Sequence, residues 1–259
     1  MTFFNVPPRI SPIYAFEDNL IWCLNHENME GVVVVDPGEA GPVIEWLKIH
    51  AKVLAGVLIT HHHGDHTGGI SELTDYCLVE NGAQPMVYGP ESCLSKGVQQ
   101  VVGEGSEVVF HDLGLRLRVL FVPGHTNDHL AYMLEPSNGW EEAIFCGDTL
   151  FAAGCGRLLG GTAEQMFHSL QRLATLPDVT RVYCAHEYTL SNLLFAKATF
   201  PDSQAISDRL TTVQNLRRQN ELTLPSTIAE ERQTNPFLAC SNVQEFSRLR
   251  QAKDQFRPN

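Results

Sequence analysis

Thr60-His61-His62-His63-Gly64-Asp65-His66 places four imidazoles and a carboxylate within one short stretch. So dense a set of nitrogen and oxygen donors has few uses besides metal binding. It follows an apolar run, Val53-Leu54-Ala55-Gly56-Val57-Leu58-Ile59, which has the composition of a buried strand. A strand ending in donors delivers them to a loop at the rim of a sheet, where α/β proteins place ligands.

Four further β-branched or apolar runs stop in the same way. Val32–Val35 ends at Asp36, and Leu117–Val122 runs into Pro123-Gly124-His125. Ala143–Cys146 ends at Gly147-Asp148, and Arg181–Ala185 ends at His186. Helical patterns lie between them. Pro42 to Ala51 is one. Thr162-Ala163-Glu164-Gln165 opens another with a capping-box signature, followed by Met166, Leu170 and Leu173 at helical spacing. Strands alternating with helices predict an α/β layered domain. Beyond His186 the strand signals stop. Leu190–Phe200, the Ile206/Leu210/Val213/Leu216 series and a segment opening at Asn242 predict a helical appendage, with 222–235 a loop or short helix. The expected division is a mixed domain over 1–175 and an α-helical domain over 176–259 that also contributes His186.

The donors at strand ends are His61, His63, Asp65, His66, His125, Asp148 and His186. These exceed the four ligands of one tetrahedral zinc. They suit two metals sharing a carboxylate, with positions left for water. Imidazole and carboxylate donors without cysteine suit zinc first, and iron or manganese as well. In an extended segment residues i and i+2 project to one side, so His61 and His63 converge on one ion. After the turn at Gly64, Asp65 and His66 face a second. His62 points away and reads as a packed histidine. His129, close behind Pro-Gly-His-Thr, is a candidate to support a ligand. Asp36 either orients a ligand or fixes the turn at Pro37-Gly38.

Composition narrows the function classes. Of the 259 residues, 43% are hydrophobic, enough for a sizeable core. No apolar stretch approaches the roughly 18 residues of a membrane span. The N-terminus, Met1 to Pro8, lacks an export-signal pattern, and the seven cysteines form no Cys-x-x-Cys pair. The expectation is a cytoplasmic monomer with reduced, buried thiols and no membrane partner. A net charge of −12 argues against nucleic acid. The last 19 residues run against that charge, with Arg248, Arg250, Lys253 and Arg257 set against Glu245 and Asp254. Such a tail is either a local anion site or a solvated helix.

The order of motifs resembles that of the metallo-β-lactamase-fold hydrolases. It consists of Val34-Val35-Asp36-Pro37-Gly38, the Thr60–His66 stretch, Pro123-Gly124-His125-Thr126, Gly147-Asp148-Thr149-Leu150-Phe151 and a late histidine. Within that superfamily the chain resembles glyoxalase II, the hydroxyacylglutathione hydrolases. The narrower resemblance lies in Gly154-Cys155-Gly156-Arg157, Cys184-Ala185-His186-Glu187-Tyr188-Thr189 and Lys253-Asp254-Gln255-Phe256.

The resemblance implies an αββα sandwich with a C-terminal α-helical domain. One metal would take His61, His63 and His125; the other would take Asp65, His66 and His186, with Asp148 bridging. It implies hydrolysis of a glutathione thioester such as S-lactoylglutathione, giving glutathione and D-lactate. The nucleophile would be a hydroxide held between the ions, with Asp65 and Asp148 as the catalytic carboxylates. It further implies glutathione binding by Arg157, Tyr188, Arg250 and Lys253. Leu159 stands where some members carry an aromatic that helps hold glutathione. The rival readings are a mononuclear-iron persulfide dioxygenase, which generally lacks the helical extension, and another hydrolase of the same fold.

Overall fold

The computed structural model describes residues 8–137 and 139–257. Residues 1–7 of the N-terminal stretch inspected for an export signal lie outside them. The chain divides into two compact units. One comprises Met1–Phe121 and Asp128–Gly147, the other Val122–Asn127 and Asp148–Asn259.

In the first unit, β1 (Arg9–Ala15), β2 (Asn19–Asn25), β3 (Gly31–Val35), β4 (Val53–Leu58), β5 (Met86–Gly89) and β6 (Gln100–Val101) form one sheet in that order. The pairs from β1 to β3 are antiparallel, and those from β3 to β6 parallel. Val32 to Val35 are buried on both faces of the sheet, as the uninterrupted valine run requires. Val32 and Val34 pack with Val43 and Leu47 of α1 (Ala40–His50). Beyond the short α2 (Gly64–Thr67), Leu73 and Cys77 of α3 (Ile70–Asn81) join the same core. The opposite face meets a second sheet built from β7 (Glu107–Phe110), β8 (Leu115–Phe121), β9 (Leu130–Leu134) and β10 (Ala143–Gly147), all antiparallel. The Phe110 ring fills the space that a side chain at Gly56 would need, and Tyr132 Oη donates to the Ile59 carbonyl at 2.7 Å. Helices, sheet and sheet thus stack in layers.

In the second unit, β11 (Leu150–Phe151) and β12 (Gly154–Cys155) form a short hairpin, and β13 (Arg181–Cys184) pairs antiparallel with β14 (Ser226–Thr227). Its helices are α4 (Ala163–Leu173), α5 (Thr189–Thr199), α6 (Gln204–Arg218), α7 (Ile228–Thr234) and α8 (Val243–Gln255). Helix α4 opens with both hydrogen bonds of the Thr162–Gln165 capping box. The segment 222–235 resolves into β14 and α7. Phe246 seats α8 by packing on Phe167 of α4 and on Phe237.

Candidate metal centre

The parallel register pairs Val35 with Leu58, so Asp36 and Thr60 leave the first sheet together. Asp36 is buried and adopts φ 54°. Its carboxylate accepts the Thr60 N–H at 2.8 Å, the Thr60 hydroxyl at 2.7 Å and His66 Nδ1–H at 3.0 Å. A carboxylate can only accept, which fixes the His66 tautomer and puts its lone pair on Nε2. The Thr60 hydroxyl spends its proton on Asp36, so at 3.0 Å it accepts from His61 Nδ1. His61 therefore also carries its lone pair on Nε2. This is the arrangement in which a backing carboxylate prepares imidazoles to bind metal. Asp36 thus orients His66 directly and His61 through Thr60, while its own carbonyl accepts the Gly38 N–H at 2.9 Å in the turn. The ligand atoms of Asp36, His61 and His66 lie within 4.8 Å of one another, yet Asp36 already accepts three hydrogen bonds and acts behind the histidines.

The structure brings His61 and His63 together, with Nε2 of the first 3.0 Å from Nδ1 of the second. Asp65 Oδ2 lies 3.4 Å from His66 Nε2 and accepts from Asn19 Nδ2 at 3.1 Å. His62 lies edge-on to His63 with ring centroids 4.9 Å apart, and its Nδ1 has no hydrogen-bond partner among the described residues. His129 is fully buried and stacks on His61 at 4.6 Å. Gly147 closes this corner at φ 48°. A Cβ there would sit 2.4 Å from Thr60 Oγ1 and 2.9 Å from the His129 ring, so only glycine fits.

In the second unit His125, Asp148 and His186 are all buried. The two oxygens of Asp148 face different imidazoles, Oδ2 lying 3.5 Å from His125 Nε2 and Oδ1 3.4 Å from His186 Nε2. His125 Nδ1 donates to the Arg157 carbonyl at 2.8 Å, again leaving Nε2 as the donor nitrogen toward a metal. Gly156 lies beneath: a Cβ there would meet the Asp148 carbonyl at 2.0 Å. Tyr188 stacks on His186 at 4.8 Å with an interplanar angle of 6°. Histidine nitrogens with fixed tautomers and carboxylates split between them fit divalent metal ions.

The basic residues behave differently from one another. Arg157 exposes 69% of its side chain and lies 3.8 Å from Asp254. Arg250 is buried: it donates to the Cys155 carbonyl at 2.8 Å and to Asp254 Oδ1 at 2.8 Å, and sits over the Phe237 ring. Its Nε has no hydrogen-bond partner among the described residues. Lys253 Nζ donates to the Ser191 carbonyl at 3.1 Å. Burial, followed by the charge of Arg250, lowers its pKa from 10.5 to about 8. Leu159 is exposed, while its N–H donates to the His125 carbonyl at 3.0 Å.

Residues 20–186 match the family model of the metallo-β-lactamase superfamily, and residues 187–256 match that of the hydroxyacylglutathione hydrolase C-terminus. Hydroxyacylglutathione hydrolase of Shewanella sp. (strain ANA-3) is 48% identical over 88% of this chain and 84% of its own. The protein of that name from Nitrosomonas europaea is 43% identical over 97% of both. The chain belongs to the hydroxyacylglutathione hydrolase family.

Among solved structures, ETHE1 from Myxococcus xanthus superposes with a TM-score of 0.67 at 26% identity, covering 96% of this chain and 93% of that one. The BLEG-1 B3 metallo-β-lactamase superposes with a TM-score of 0.65 at 20% identity, covering 90% and 100%. The latter supports the fold alone. The α/β metallo-β-lactamase fold with a C-terminal helical region therefore stands as expected, as does membership of a thioester hydrolase family.

Asn19 and Thr60 escaped the sequence reading as site residues. Thr60 had a signal, since it begins the histidine stretch directly after a strand. Asn19 had none, because its link to Asp65 spans 46 residues.

Proposed function

We infer that this chain hydrolyses S-(2-hydroxyacyl)glutathione thioesters, releasing glutathione and a 2-hydroxy acid, D-lactate when the substrate is S-lactoylglutathione. One observation carries the reading: the oxygens of Asp148 face two different imidazoles, in a chain 43–48% identical to hydroxyacylglutathione hydrolases. Two divalent ions, zinc first, would be held by His61, His63 and His125, and by Asp65, His66 and His186, with Asp148 bridging. Residues 1–175 would form the catalytic domain and 176–259 the substrate-binding one, in a cytoplasmic monomer. Among the described residues no helix is long and apolar enough to cross a membrane.

Bound there, the ions would supply a water nucleophile near neutral pH and a positive charge for the thioester carbonyl. The chain supplies the rest. Asp36 and Thr60 hold His61 and His66 in the ligating tautomer, and the Arg157 carbonyl does so for His125. Asn19 orients Asp65. Arg157 and Lys253 offer charge to the carboxylates of glutathione. Arg250 braces the Cys155 backbone beside Arg157 and keeps one N–H for substrate. Tyr188, stacked on His186, completes the binding set. The departing thiolate has an ordinary thiol pKa of about 8.5, so no general acid is required.

The test is hydrolysis of S-lactoylglutathione by the purified protein, followed by loss of the thioester, with elemental analysis of the same sample. Turnover with about two ions per chain is expected. Oxygen uptake on glutathione persulfide by a protein holding iron alone, without thioester turnover, would overturn the reading.

A further inference from the structure

The Phe151–Gly154 turn of the β11–β12 hairpin begins three residues after Asp148 and is held by side chains from far along the sequence. Ala153 adopts φ 53°, and its N–H donates to Glu231 Oε2 at 2.7 Å. The Asn235 amide donates to the Gly154 carbonyl at 2.9 Å, the Phe151 carbonyl at 3.2 Å and Glu231 Oε2 at 3.0 Å. Asn192 donates to the Ala152 carbonyl at 3.1 Å. Glu231 is itself fully buried, with Arg209 Nη2 at 2.8 Å from its other oxygen, and Asn235 is oriented by accepting the Phe237 N–H at 3.1 Å. At the far side of the hairpin the Phe151 ring stands edge-on to His186 at 5.8 Å and to Tyr188 at 5.3 Å.

A buried ion pair is a poor source of stability, because desolvation offsets its Coulombic gain. Here it lies behind a backbone in a left-handed conformation that non-glycine residues rarely adopt. The polar groups therefore have a geometric task. They fix the hairpin, the hairpin fixes Phe151, and Phe151 wedges the imidazole of His186.

We propose that Glu231 and Asn235 are positioning residues for His186 and Asp148, acting through the Phe151–Gly154 hairpin. Retention of the ion assigned to His186 then depends on α7. The inference rests on the ligand assignment proposed above and extends it to residues that touch neither metal nor substrate.

Asn235→Ala, Glu231→Ala and Glu231→Gln are compared with the wild-type holoenzyme for ion release to a chelator, thermal midpoint, kcat and KM. The alanine variants should release one ion about 10- to 100-fold more readily, the usual effect of losing support behind a ligand. Their kcat should fall with KM held. Glu231→Gln should recover much of the retention, because an amide oxygen still accepts from Ala153. A lower thermal midpoint with unchanged ion release and kcat would mark a merely structural role and overturn the proposal. If the alanine variants do not fold, Asn192→Ala, which removes the Ala152 bond and the packing of the Asn192 amide on Gly154 but leaves Glu231 and Asn235 in place, should show a smaller shift in the same direction. Unchanged release in that variant also overturns it. Wild-type protein that retains two ions without thioester turnover would sink the functional reading and leave the release test standing.

Discussion

Lys253 shows how one residue's surroundings set its usefulness. Desolvation and the Arg250 charge lower its pKa from 10.5 to about 8, which puts its charge within reach of ordinary assay conditions. In the proposed role, the Lys253 cation would attract the carboxylates of glutathione below about pH 8 and lose that attraction as pH rises through it. kcat/KM reports ionisations of the free enzyme. It should therefore decline above about pH 8 relative to a Lys253→Arg variant, whose guanidinium stays charged across that range. Parallel profiles for the two proteins would show that Lys253 does not bind substrate in its charged form. The neighbouring Arg250 fits a different use. Truncating it would strip the Cys155 carbonyl and Asp254 of a partner, so its substitution would report on packing as well as on affinity.

At the level of elements, the ends of β3, β4 and α2 are tied at Asp36. Its own N–H donates to the Leu58 carbonyl at 2.9 Å, and its carboxylate collects Thr60 and His66. Asparagine has almost the same shape but only one accepting oxygen, so one donor among Thr60 and His66 must face an N–H. Asp36→Asn should weaken metal retention by about 10- to 100-fold while preserving secondary structure, as read by chelator competition and circular dichroism. Full retention would show that Asp36 merely shapes the turn. The sequence displayed this junction only in part. Strand ends were legible because buried strands, parallel β3 and β4 and antiparallel β10 alike, are continuous apolar runs that stop abruptly at Asp36, His61 and Asp148. The donors in Thr60–His66 were legible because they are crowded together. The bonds that prepare them were not. Asn19 to Asp65 and Glu231 to Ala153 join residues far apart in sequence, and nothing local distinguishes a bracing asparagine from a solvated one. Likewise, 222–235 read as either a loop or a short helix, because a seven-residue helix between Pro225 and Asn235 is too short to show a clear period, and the structure places α7 there.

At the scale of the whole molecule, the seven cysteines report on burial everywhere at once. All seven are free and buried, distributed over both compact units. An odd count without Cys-x-x-Cys spacing pointed to reduced thiols, which the structure contains. Burial pushes the Cys23, Cys93, Cys184 and Cys240 thiols up to about 12, and Cys155 to about 11, where the nearby Arg250 charge limits the rise. The thiolate is the reactive form. At pH 8 a thiol of pKa 12 holds only about one part in ten thousand as thiolate, and burial further blocks the reagent. Native protein treated with a coloured disulfide reagent at pH 8 should therefore give almost no rapid signal. The same sample in denaturant should titrate all seven. A reducing agent should leave the thermal midpoint unchanged, because no disulfide constrains the unfolded chain. Several fast-reacting thiols in the native protein would mean that one of the two cores opens readily, and peptide mapping of the labelled cysteines would show which one.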